Sequence, residues 1–146
     1  MRIQIRNTDT PNTGSFNPDL IANNASAGVA RAFMTVYGTT TAYESAVDVG
    51  IGSPNTFFQA EYVTFSAKET GASAPSFTNN DYFEYGTPDL HPSGYVVVSD
   101  VLVGIASEQA EAYEDTTLEL DVMLIAEPVK VTKDELKEML AQATDL

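Results

Sequence analysis

The stretch NTFFQAEYVTFSAKE (residues 55–69) decides the fold class. Apolar side chains recur along it with the two-residue period of a β-strand. One face would carry Phe57, Gln59, Glu61, Val63 and Phe65, and the other Phe58, Ala60, Tyr62 and Thr64. Because both faces include apolar groups, this pattern predicts a central strand that is covered on both sides.

Further stretches with strand character flank this one along the chain. They are rich in Val, Thr, Phe and Tyr, which favour strands, and cover residues 32–38, 42–50, 94–106 and 116–127. No helix of crossover length alternates regularly with them, which disfavours a parallel sheet. The chain is therefore predicted to be mainly β, an antiparallel β-sandwich or barrel of about five to six strands.

The N-terminal part is predicted to be an appendage of this β domain. In residues 2–6, Ile3 and Ile5 alternate with Arg2, Gln4 and Arg6, as in a short strand or extended arm. Residues 7–18 are turn formers, so residues 1–18 are interpreted as an extended arm with a polar linker. The β domain then covers residues 19–128. At its start, Asn17-Pro18 is predicted to cap a short helix, with Pro18 at the first helical position and the Ala/Asn-rich residues 19–32 after it.

A short amphipathic helix is predicted at the C-terminus, within residues 129–146. Thr132 and Glu135 have the spacing of a capping box, and Val131 and Leu136 bracket it as a hydrophobic staple. An apolar stripe at spacing 0, 3, 4 and 7 follows, formed by Leu136, Met139, Leu140 and Ala143. Because a helix of this length is marginal alone in water, the stripe is expected to pack on its own sheet or on another subunit.

A long turn-rich segment, residues 70–93, is predicted to be an aromatic loop. It carries Phe77, Tyr82, Phe83 and Tyr85 among Asn, Asp and Ser. Three interpretations are open for these rings. They plug one end of the β domain, they form a protein interface, or they form a platform on which sugars stack.

Composition excludes several classes of function. The chain of 146 residues has no cysteine, hence neither disulfides nor Cys nucleophiles, and its net charge is −14. Between Lys68 and Lys130 there are twelve acids and no Lys or Arg, so this half lacks the clustered cations that bind nucleic acid or an anionic membrane. No stretch has the length and apolar character of a membrane span or a signal peptide.

No pattern of catalytic residues stands out, and the chain is predicted not to be an enzyme. His91 is the sole histidine, two residues after Asp89, and no Gly-x-Ser-x-Gly or Gly-Lys-Ser/Thr motif is present. No cofactor is predicted. Calcium is the one metal with candidate ligands, because loops can supply it with carboxylate oxygens; these are Asp81, Glu114, Asp115 and Glu119.

In overall character the chain resembles small virion structural proteins of tailed phages, of the capsid decoration or cement type. It is Cys-free, acidic and rich in β pattern, with polar Thr/Asn/Ser/Gly loops. The resemblance implies an external, often trimeric protein that binds the major capsid protein and itself on the outer surface of the capsid. The alternatives are a carbohydrate-binding β module and, third, a tail or neck component. The predicted interface residues are Arg2, Ile3, Ile5, Arg6, Phe77, Tyr82, Phe83, Tyr85, Leu136, Met139, Leu140 and Ala143.

Overall fold

The computed structural model describes residues 1–7, 19–21, 27–86, 94–113 and 117–144. Within them lie six strands, one α-helix and two single-turn 3₁₀ helices, at Ala46–Asp48 and Glu111–Tyr113. The strands and the α-helix are β1 Arg2–Asn7, β2 Gly28–Thr39, β3 Thr56–Lys68, β4 Phe77–Tyr85, β5 Leu102–Glu108, β6 Leu118–Met123 and α1 Lys133–Thr144.

The strands form two antiparallel sheets. One has four strands in the order β4-β3-β2-β5, and the other is a ribbon of β1 and β6. The described strands close no barrel, so the prediction of a mainly β, antiparallel fold is confirmed in its sandwich-like form. β3 is the stretch from which the fold class was predicted, and it has a neighbouring strand on each side.

The main core lies between the ribbon and the four-stranded sheet. Ile5 of β1 packs with Met34 of β2 and Tyr62 of β3, while Leu118 and Leu120 of β6 pack at its margin. The other buried members of this cluster are Leu20, Ile21 and Ala32. Since burial of apolar surface is the dominant favourable term in folding, this contact holds the two sheets together.

A β-bulge changes the predicted faces of β3. Gly38 pairs with Phe58 and Thr39 with Thr56, which leaves Phe57 without an opposite residue. The extra residue shifts the alternation, and Phe57 and Phe58 both pack in one cluster with Ala60. The prediction that the two phenylalanines lie on opposite faces is therefore wrong. A side chain at Gly38 would meet the Phe57 ring at 2.8 Å.

The strand predicted at residues 42–50 is wrong, and the one predicted at residues 94–106 is only partly correct. Residues 42–50 form a loop with a 3₁₀ turn, because Ser53 accepts from the Gly50 N–H at 2.8 Å and local bonds replace a strand ladder. In the stretch 94–106 pairing begins only at Leu102, and β5 continues to Glu108. Tyr95, before the strand, instead bonds Thr40 and Asn55 through its hydroxyl, each at 3.2 Å.

Two predictions of local structure differ more strongly from the observed secondary structure. No helix occurs in the described parts of 19–32, because Gly28 to Ala32 already pair with Lys68 to Thr64 as the start of β2. The predicted aromatic loop contains strand β4, which pairs with β3 from Phe77 to Tyr85. Its centre, Asn79-Asn80-Asp81, is made of residues that are depleted in strands, and this obscured the pattern.

Candidate interaction surface

The N-terminal segment is a core strand. β1 pairs with β6 along its whole length, and Ile3 and Ile5, predicted as interface residues, face the chain's own core. Only 3% of Ile5 is exposed. The prediction of a protruding arm is corrected for residues 1–7, because the apolar side of this strand is satisfied inside the molecule. Residues 8–18, the predicted linker, lie outside the described residues.

The two arginines of β1 bind carboxylates of the same chain. Arg2 Nη1 lies 2.5 Å from Glu84 Oε1 on β4. Arg6 donates from Nε to Asp121 Oδ2 at 2.7 Å and also pairs with Glu119, both on β6. Both arginines were predicted to be interface residues. In the structure their guanidinium groups pair with carboxylates of their own chain.

Tyr82 belongs to a network that links the ribbon to the sheet edge. Its ring lies 4.9 Å from that of Tyr62, and its hydroxyl donates to Glu84, the carboxylate that also binds Arg2. Burial raises the pKa of the Tyr82 hydroxyl, and the hydrogen bond to Glu84 raises this pKa further. The Tyr82 hydroxyl is therefore a protonated donor at neutral pH, and its acceptor, Glu84, lies on the same strand, β4.

The predicted sugar platform is divided between two faces. Tyr82 lies opposite Tyr62, whereas Phe83 lies opposite Glu61 and Tyr85 opposite Gln59. Since successive strand residues point to opposite sides, Tyr82 faces the ribbon side and the other two rings face away. The three aromatics therefore do not form one stacking surface.

The side of the large sheet turned away from the ribbon carries several aromatic rings that are exposed or half-buried. Phe77, with 54% of its surface exposed, meets Phe65 edge to face at 6.3 Å between centroids. On β2, the Arg31 guanidinium lies 5.7 Å from the centre of the Phe33 ring. A cavity of about 230 Å³ opens on the same side, with Phe33, Thr35, Val47, Glu61 and Glu108 in its wall. Its two carboxylates come from different strands, β3 and β5.

The two calcium candidates that the structure describes, Asp81 and Glu119, lie on different strands, β4 and β6. Glu119 is paired with Arg6, and Asp81 accepts a hydrogen bond from Asn79 at 2.7 Å. Glu114 and Asp115 lie outside the described residues, as do Asp89 and His91. In the described part of the chain no three His, Asp or Glu side chains are grouped so that they could hold a metal ion.

The most exposed apolar segment follows β6. Residues 124–144, here called the C-terminal arm, continue beyond the last pair of the ribbon, Arg2 with Met123. Ile125 is 80% exposed, Val129 54% and Leu124 48%. Neither core cluster contains a residue of the arm. Large exposed apolar side chains that lie together in this way are typical of an interaction surface.

The end of the arm is the predicted helix, and this prediction is confirmed. α1 runs from Lys133 to Thr144, and Thr132 caps it: the Glu135 N–H donates to Thr132 Oγ1 at 3.3 Å. Leu136 and Met139 are half-buried and Leu140 is exposed, while the Ala143 side chain is outside the described part. Neither described core cluster includes a residue of this stripe. No described helix has the length and apolar character needed to cross a membrane.

Acidification is expected to weaken the cap of α1. The Thr132 N–H and hydroxyl donate to Glu135 Oε2 at 2.7 and 2.8 Å and lower the pKa of this carboxyl below its ordinary 4.5. A group whose pKa is lowered by folding stabilises the folded state. Its contribution is complete above the pKa that it has in the unfolded chain, and it is lost as the pH falls through the pKa that it has in the folded chain. NMR shifts of residues 133–144 should therefore lose helical character as the pH falls below about 4.5.

The matched variant for this titration is Glu135→Gln, which keeps an acceptor oxygen but removes the ionisable group. Its helical shifts should change less over the same acid range. Identical titration of the parent and the variant would show that the capping box does not carry the pH dependence.

The two edges of the four-stranded sheet differ in chemistry. β4 presents Asn79, Asn80 and Asp81 at its centre, the kind of polar edge that resists strand addition. β5 reads LVGIASE and carries its only charge at Glu108. Val103 and Ile105, opposite Gly38 and Val36, lie on the core-facing side, yet are 45% and 54% exposed.

Sequence reasoning missed this surface. The hydrophobic run 94–106 indicates a buried strand. Strand pairing instead places β5 at the edge of the four-stranded sheet, and neither core cluster under the ribbon includes a residue of β5. The apolar alternation of Val129 and Val131 before the helix was the available signal for the arm. Comparison of the chain with models of known protein families, with curated protein sequences and with solved structures found no match.

Proposed function

We propose that the chain is a non-enzymatic structural protein that acts through contacts between subunits. The observation that carries this proposal is the C-terminal arm, which leaves the two-sheet body with Leu124, Ile125 and Val129 exposed. Burial of apolar surface is worth about 25 cal/mol per Å², so a partner that covers the arm gains stability from it. A 12-residue helix that is marginal alone gains as well.

The specific form that we propose is a decoration or cement protein on the outer surface of a phage capsid, with a tail or neck component as a related form. The net charge of −14 suits the outside of a shell better than a surface that faces DNA. Arg2 and Arg6 are engaged within the chain, which further reduces the cations available for phosphates. The partners would be the major capsid protein and further copies of this chain, in a trimer as the resemblance implies.

The carbohydrate-binding alternative has less support from the geometry. Its platform requires Tyr82, Phe83 and Tyr85 on one side of the chain, and alternation along β4 separates Tyr82 from the other two. Phe83 and Tyr85 remain on the outward side of the sheet, on the strand that also carries the exposed Phe77, where a protein surface is an equally good partner.

Two substitutions in the arm are expected to reduce self-association. The double variant Ile125→Asp with Val129→Asp places charge where the proposal requires apolar contact. We expect the full chain to exceed its monomer mass of 15.7 kDa in light scattering at micromolar concentration, and the double variant to return to that mass. Loss of two central apolar contacts commonly costs several kcal/mol at an interface. This loss corresponds to a dissociation constant that is higher by about 100-fold or more.

The matched control is Val29→Asp with Ile51→Asp. These residues are 70% and 54% exposed, are again one valine and one isoleucine, and lie outside the arm. The control adds the same charge and should keep the parent mass. A parent chain that is monomeric at every concentration, or a control that dissociates equally, would contradict a specific role for the arm.

A further inference from the structure

We propose that the extended part of the C-terminal arm, residues 124–131, adds as a strand to the outer edge of β5 in a second copy of this chain. The inference rests on the proposed function and specifies the surface that receives the arm. Donor and acceptor belong to the same sequence, so each copy would offer one arm and accept one.

The outer edge of β5 is the better acceptor of the two sheet edges. β5 ends the strand order and pairs, among the described strands, only with β2. An apolar edge with unpaired backbone groups is a template for a further strand, and proteins usually protect such an edge with charge. β4 has that protection in Asn79-Asn80-Asp81, whereas β5 has Val-Gly-Ile-Ala in the corresponding central part.

The apolar side chains at this edge match those of the arm. Val103 and Ile105 are exposed on the core-facing side of β5. A further strand that pairs with β5 would lie directly beside them. In an extended conformation, Val129 and Val131 point to one side together with Glu127, and Lys130 points to the other. A strand seated beside β5 would thus cover Val103 and Ile105 with valines and keep the lysine apart.

The lengths of donor and acceptor agree. An antiparallel or parallel strand advances about 3.3 Å per residue, so residues 124–131 span about 26 Å and the seven residues of β5 about 23 Å. Pro128 lacks an N–H donor, which suits an edge strand in which alternate residues turn their backbone away from the neighbour. The arm therefore reaches along the whole of β5 before α1 begins at Lys133.

Charge favours the same pairing. Residues 124–133 carry one acid, Glu127, and two bases, Lys130 and Lys133, for a net charge of +1. The described residues supply neither lysine with a salt bridge. The acceptor region, residues 94–113, contains Asp100, Glu108 and Glu111 and no base. In a chain of net charge −14, two copies repel each other in general, so the lysine-bearing arm is the part suited to meet the acidic region of a neighbour.

The absence of cysteine in the sequence allows a direct test by cross-linking of full-length chains. A tagged chain carrying Val129→Cys or Val131→Cys is mixed with an untagged chain carrying Val103→Cys or Ile105→Cys and oxidised at low concentration. A disulfide requires Cα atoms about 4.4–6.8 Å apart, so efficient bonding reports adjacent strands. We expect at least one of the four combinations to give mixed disulfides about tenfold more efficiently than the controls.

The control acceptors are Val29→Cys, which is 70% exposed, and Phe77→Cys, at the other edge of the sheet with 54% exposure. Equal cross-linking to β5 and to the controls would overturn the inference. Preferential bonding between two Met139→Cys chains, with none at β5, would overturn it as well, since it would show pairing of the helices. In both cases a mass that falls in the Ile125→Asp/Val129→Asp variant would leave the proposed function standing. A parent chain that stays monomeric in light scattering and forms no mixed disulfide would overturn both proposals.

Discussion

Deletion of residues 1–7 is expected to abolish cooperative unfolding of the protein. The deletion removes β1, whose residues pair with β6 from Arg2 opposite Met123 to Asn7 opposite Leu118. It also removes Ile5, which is buried between the two sheets. Loss of a buried isoleucine side chain alone costs about 2–5 kcal/mol, and each lost backbone hydrogen bond adds about 0.5–1.5 kcal/mol.

These losses are comparable to the whole stability of a domain, which is usually about 5–15 kcal/mol. Without β1, strand β6 has no partner among the described strands, and Leu118 and Leu120 lose the neighbour that holds them against the core. The four-stranded sheet would then expose Met34 and Tyr62 to water. We therefore expect a broad, non-cooperative urea transition in place of a sigmoidal one, measured by circular dichroism and tyrosine fluorescence.

The control for this deletion is the full chain with Arg2→Gln and Arg6→Gln. It keeps the strand and its backbone pairing but removes the salt bridges to Glu84, Glu119 and Asp121. Because these pairs are partly or largely exposed, each is worth about 0–1 kcal/mol, and the transition should stay cooperative. A deletion variant as stable as the parent would show that residues 1–7 are an arm after all.

The local sequence pattern predicted those elements that depend on residues close together in the chain. The alternation of residues 55–69 predicted the central strand β3, and the Thr132–Glu135 spacing predicted the start of α1. In each case the signal lies within a few residues: a period of two in one and a capping box in the other. The prediction of a two-sided central strand also gave the fold class.

Long-range pairing is the part that the local pattern did not contain. β1 and β6 lie at opposite ends of the chain, and alternation in residues 2–6 fits a paired strand and a solvated arm equally well. The same uncertainty applies to β5, whose hydrophobic run fits a buried position better than the edge that it occupies. A bulge at Phe57 is likewise decided by pairing with β2.

The candidate surface was predicted only in part for the same reason. The helical stripe of α1 was identified with its need for a partner, but Ile3 and Ile5 were assigned to an interface although they belong to the core. The exposed Val103 and Ile105 were unrecognised, because exposure on a sheet depends on how far the opposite sheet extends. The two-stranded ribbon packs on β2 and β3, and neither core cluster includes a residue of β5.

Phe58→Ala is expected to be the most destabilising single substitution in the second core cluster. The Phe58 side chain is fully buried and packs with Phe57 and Ala60, with Met1, Ile3 and Tyr95 around them. Gly86 is also close, since a Cβ at that position would lie 3.2 Å from the ring. Truncation of a buried phenylalanine leaves a cavity that its neighbours fill only in part, at a cost of about 3–5 kcal/mol.

Urea unfolding of the full chain measures this cost. With a slope of about 1–3 kcal/mol per M, a loss of 3–5 kcal/mol lowers the midpoint by about 1–5 M. The matched control is Phe77→Ala on β4 of the same sheet, where the ring is 54% exposed and contacts Phe65 at its edge. We expect the control to cost about 1 kcal/mol or less, because most of that ring already meets water. Equal midpoints for the two variants would contradict the burial of Phe58 in this second core cluster.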